Sequence, residues 1–295
     1  MRPTAIATIC LTLLAAAPAA AQQTQPGSSP SDIVVEGTRD REEQVRDFVT
    51  ALTPAPQGSI SRMIDEVCPV ASGLDPAQNE AVANRLRAVA AAAQLRVAAK
   101  GCAPNALVVV TPDKRAFIEA LANRRSDFFG MLSKTQIRRL ARSPGPAAAW
   151  QLEGPVDADG IPLRWSDAAG AYVNDTTTAP TRLRTTGRRG FDASVMVVAA
   201  DALKGLTTTQ LADYAAMRMF AKLNPARLPA PPPPTILTIL EAPFGTPVPV
   251  TMTSWDLGLL RGIYASTPDL LVGSQRSEIA REVLKELDGA QAEPD

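Results

Sequence analysis

The side chains that could do chemistry in this chain are carboxylates, hydroxyls, amides and cysteines, because its 295 residues include no histidine. That absence removes serine-histidine triads, cysteine-histidine dyads, imidazole general bases and nearly all catalytic zinc sites. No Gly-x-Ser-x-Gly elbow, Ser-x-x-Lys pair or phosphate-cradling glycine loop replaces them. Paired carboxylates are what remains for an imidazole-independent hydrolase, and Asp213 and Asp256 are the candidates. Asp157-Ala158-Asp159-Gly160 has the opening spacing of a calcium loop, but Ala168 stands where the bidentate glutamate is needed. The four residues therefore read as a hairpin turn between strands at 148–156 and 161–165. No metal or cofactor is implied.

Residues 1–21 read as a signal peptide: Arg2, an apolar stretch too short to span a bilayer, then Ala19-Ala20-Ala21 before Gln22. Its removal takes Cys10 and leaves Cys68 and Cys102, which an oxidising compartment would pair as a structural disulfide. A periplasmic or secreted location follows. Basic and acidic residues balance, 30 against 30, and aromatics make up only 4%, which argues against nucleic acid or anionic lipid as partners. No later window is apolar enough for a membrane span.

Residues 22–39 are expected to be a flexible leader, 40–288 a single domain, and 289–295 a disordered tail. Within the domain, Val45, Phe48, Val49 and Leu52 recur at helical spacing from about Asp40, and a strand is expected at 64–70. Asp75-Pro76 caps the next helix, with Leu86, Val89, Ala90 and Ala93 on its inner face, and the apolar run at 106–110 reads as a buried strand. Thr111-Pro112 opens another helix, and Ser133 with Gln136 forms a capping box for one stopped by Pro144. Further on come a strand at 194–199, a helix at 207–223, a stiff proline connector at 229–234, and helices at 253–264 and 274–287. The pattern predicts an α+β fold: a mixed sheet packed with helices, ending in C-terminal helices.

The second half carries three pieces in a particular order. Strand Ser194-Val195-Met196-Val197-Val198-Ala199 leads to Gln210-Leu211-Ala212-Asp213-Tyr214; then come Thr235-Ile236-Leu237-Thr238 and a helix containing Trp255-Asp256-Leu257 and ending at Tyr264. Over about 70 residues, within 191–266, this resembles metzincin-like zincin metallopeptidases and related uncharacterised secreted domains. The resemblance implies an edge strand before a helix bearing the metal ligands, a turn beneath the metal, and a closing helix. Carried over, the ligand histidines fall on Gln210 and Tyr214, the general base on Leu211 and the turn methionine on Leu237. A leucine cannot deprotonate water and Gln with Tyr is a poor zinc set, so the resemblance implies a domain that has lost its metal and its peptidase chemistry.

Each of these residues also has a local structural reading. Gln210 and Asp256 complete capping boxes with Thr207 and Thr253, and Tyr214 suits a core aromatic. On a helix Gln210, Asp213, Tyr214 and Met217 share a face, which is either a candidate cleft or a solvated surface. The expectation is an exported, non-catalytic protein that holds a peptide or another protein in the envelope. The alternatives are the carboxylate hydrolase and a purely structural envelope subunit.

Overall fold

The computed structural model describes residues 30–56, 58–176, 179, 181–182, 184–243 and 245–292. The signal peptide, and residues 22–29 of the expected leader, lie outside them. Two units are distinguished, Met1–Arg39 and Asp40–Asp295. Of the first, only the opening of helix α1 (Pro30–Leu52) is described, so residues 30–39 of the expected leader are helical.

The fold is α+β, with a mixed sheet at its centre. Strands β1 (Arg62–Met63) and β2 (Pro69–Ser72) replace the single strand expected at 64–70. The chain changes neighbours there: β1 pairs with β7 (Gly187–Ala199) and β2 with β3 (Ala106–Thr111), so no single straight strand could serve both. β1, β2, β3 and β7 run parallel, and β4 (Ala147–Asp157) lies antiparallel along the other side of β7. The Asp157–Gly160 turn forms, with Gly160 at φ +93° and its N–H donating to the Asp157 carbonyl. The hairpin expected around it is short: the Asp157 N–H donates to the Ile161 carbonyl and the Leu163 N–H to the Pro155 carbonyl about a Val156–Pro162 bridge, and beyond that β5 (Arg164–Ser166) pairs with β6 (Ala171–Val173).

Alternation along β3, β4 and β7 feeds two apolar layers. Val108, Met196, Val198 and Ala147 face the larger core, under α1, α2 (Pro76–Ala92), α5 (Thr208–Met219), α6 (Ser254–Ala265) and α7 (Val272–Ala292). Val195, Val197, Ala148 and Trp150 face the smaller one, with Ile118 of α3 (Lys114–Arg124), Phe129, and Ala141 of α4 (Lys134–Ala141). α3 begins after an Asp113 cap rather than at Thr111-Pro112, because Thr111 still belongs to β3. α5 ends at Met219, short of the expected 223. α7 continues to Ala292, where the tail was expected to fray, and Arg41 holds its end through Asp288 and Gln291. α6 and α7 approach closely enough that a Cβ on Gly258 or Gly262 would come within 2.8 Å of the Val283 or Ile279 Cα.

Cys68 and Cys102 form a disulfide with a Cα–Cα separation of 6.1 Å, closing a loop of 34 residues around α2. Loop-closure entropy gives it about 4 kcal/mol of stabilisation. Reduction should lower the thermal midpoint by several degrees, and a Cys68→Ala/Cys102→Ala double variant should melt at the reduced protein's temperature; equal midpoints for oxidised and reduced protein would contradict the assignment.

Candidate functional site

Nine of the residues of α5 are buried, including Gln210, Asp213, Tyr214 and Met217, so their shared face is neither an open cleft nor a solvated surface. The sequence-based cleft is corrected by a segment of the chain that covers it. The Gln210 carbonyl accepts the Thr207 N–H at 3.0 Å, closing the capping box, and its Nε2 donates to the Pro249 carbonyl at 2.9 Å. Asp213, with no exposure, accepts from Arg85 at 2.7 and 3.1 Å, from the Thr251 hydroxyl at 2.7 Å and from the Met252 N–H at 2.7 Å. The Tyr214 hydroxyl accepts from Arg218 at 2.5 Å. Burial raises the tyrosine's pKa, and the Arg218 charge opposes that shift. Met217 is core.

Asp256 completes its capping box, and it does more than cap. Its carboxylate, also fully buried, accepts from the Thr235 hydroxyl at 2.5 Å, the Ile236 N–H at 2.8 Å and the Thr253 N–H at 3.0 Å. Burial raises its pKa, with the hydrogen bonds from Thr235, Ile236 and Thr253 acting against that. Asp213 and Asp256 thus hold consecutive residues, 251–252 and 253, from two sides. Neither presents itself to solvent, so the pair offers no general acid or base to a substrate.

The residues at the ligand positions do not fit a zinc ion. Gln210 spends both amide atoms on the backbone, Leu211 is apolar core, and the Tyr214 oxygen faces a guanidinium. Among the described residues no cluster of three acidic or cysteine side chains could hold a metal.

The accessible feature lies at the sheet's edge and was not legible in the sequence. β4 has no ladder partner beyond β7 over 147–153 among the described residues. Ladder parity identifies which backbone groups are left over: Ser194 N–H bonds to Asn105 of the β3 side, and Ala199 N–H to Pro146 of the β4 side. Ala148 and Trp150 therefore bond inward to β7, while the N–H and C=O of Ala149 and Gln151 point out. This edge is the floor of a trough of about 350 Å³, walled by Leu132, Arg139 and Leu140 on one side and Lys222 and Leu223 on the other. Two further depressions of about 240 Å³ each continue it, and Glu153 lines all three. Lys222 forms an ion pair with Glu153. Trp150 is fixed by stacking on Phe129 at 5.0 Å and by an Nε1 bond of 2.8 Å to the Phe128 carbonyl.

No family model matches this chain, and no curated protein and no solved structure matches it significantly. Among the described residues no helix is long and apolar enough to cross a membrane.

Proposed function

We propose that this chain is a non-catalytic peptide-binding protein of the cell envelope, which adds an extended segment of a partner to the free edge of β4. The observation that carries the reading is the trough whose floor is the outward N–H and C=O groups of Ala149 and Gln151. A strand laid there would meet unpaired backbone groups along its length, with Leu132, Leu140 and Leu223 available to an apolar side chain. Lys134, Arg138, Arg139 and Arg142 are exposed on and beside α4, whose segment carries no acid, so the occupant is an extended peptide with an apolar anchor and acidic neighbours. Exposed Met131, Trp165 and Tyr172 continue the surface past the trough's end. Export is supported by the disulfide and by the apolar start of the sequence.

The same reading takes the fold as zincin-like with its metal chemistry lost. Its support is the passage from β7 to α5 and the 236–238 turn tied to Asp256; the edge strand that the resemblance implies at 194–199 is instead an inner strand, β7, paired with β3 on one side and β4 on the other.

Panning a random phage-displayed peptide library on the disulfide-bonded protein should enrich extended acidic-apolar sequences. An Ala149→Pro variant, which loses one outward N–H at an edge where proline is tolerated, should bind them about tenfold more weakly with little change in melting temperature. No enrichment, or undiminished binding by the proline variant, would overturn the reading.

A further inference from the structure

We propose that a second cavity, between β1, the Asp159-Gly160 turn and the start of β7, binds a small oxyanion. It has a volume of about 220 Å³, and three arginines, Arg62, Arg96 and Arg188, are among the residues that line it. Arg188 is 7% exposed; its Nε reaches the Ala158 carbonyl only at 3.4 Å, and its Nη1 is buried with no hydrogen-bond partner. Its Nη2 lies so close to Gly160 that a Cβ there would sit at 2.7 Å. Arg62 donates to the carbonyls of Ile263, Tyr264 and Ser266, and Arg96 to that of Ile64. None of the three guanidinium groups has an ion-pair partner among the described residues.

A buried cation with an unused donor is costly unless an anion meets it, and a guanidinium fork suits the paired oxygens of a carboxylate or phosphate. Burial, and next the Arg62 charge, lower the Arg188 pKa to about 10, while Asp157, Asp269 and Asp159 act in the opposite direction. The two acids lining the cavity, Asp65 and Asp159, are exposed and stand at its mouth. The size and the cationic lining fit one small oxyanion.

The test is a titration of 15N-labelled, disulfide-bonded protein with inorganic phosphate and, separately, with acetate, sodium chloride holding the ionic strength fixed. Saturable shifts are expected at the amides of Gly160, Gln94 and Arg96, and whichever anion binds more tightly identifies the ligand as tetrahedral or planar. Arg188→Met should weaken binding at least about tenfold. Asp159→Asn, on an exposed turn that leaves the core untouched, should strengthen it and keeps the idea testable if the arginine variant does not fold. The absence of saturable shifts with either anion, binding undiminished in Arg188→Met, or binding unmoved in Asp159→Asn would each overturn the proposal and leave the cavity to water.

Discussion

Asp256→Ala should destabilise the protein by about 3–5 kcal/mol, since it leaves the Ile236 and Thr253 N–H groups and the Thr235 hydroxyl without their buried acceptor. Asp256→Asn keeps one acceptor oxygen and should cost less. The pH dependence has a definite sign: with the folded pKa raised, the fold favours the neutral acid, so this group's stabilisation is present in acid and is lost as pH rises through the folded pKa. The cost of the asparagine substitution, measured by denaturant unfolding, should therefore be larger in acid and shrink towards neutral pH. A cost independent of pH would refute the assignment of a raised pKa, and a neutral alanine substitution would refute the anchoring role.

Asp213→Ala should cost about 3 kcal/mol and should also uncover α5. It removes the acceptor for Thr251 and Met252 and strands the half-buried Arg85 beside an empty carboxylate site. Arg85→Met should be damaging too, because the carboxylate then stays buried without its countercharge. Faster amide exchange at Met252 in both variants, with exchange in β3 unchanged, is the expected signature. Uniform acceleration over the whole domain would mean that the pair supports global stability alone, with no local closure of the 249–252 segment.

The sequence was legible wherever the determinant is local. The caps at Asp75, Ser133, Thr207 and Thr253 all make the hydrogen bonds that their spacing implies, and the apolar run at 106–110 is a buried strand. It was illegible where the partner is remote. The turn at 157–160 does start a short hairpin, but β4's long ladder is with β7, whose Gly187–Ala199 lies beyond β5 and β6. The polar face of α5 looked open because Arg85, which satisfies Asp213, is 128 residues away. The β4 trough had no signature at all: Ala147-Ala148-Ala149-Trp150 reads as an apolar strand whether or not its outer edge is covered. Arg188 likewise sits next to Arg189 as an ordinary basic pair, and only the fold buries it.

Residue-resolved hydrogen exchange with and without a selected peptide tests the binding edge most directly. Strand addition to β4 should slow the amides of Ala149 and Gln151, which point outward, and leave those of Ala148 and Trp150, already bonded to β7, nearly unchanged. Protection confined to another surface, with Ala149 and Gln151 exchanging as in the free protein, would contradict peptide capture at this edge.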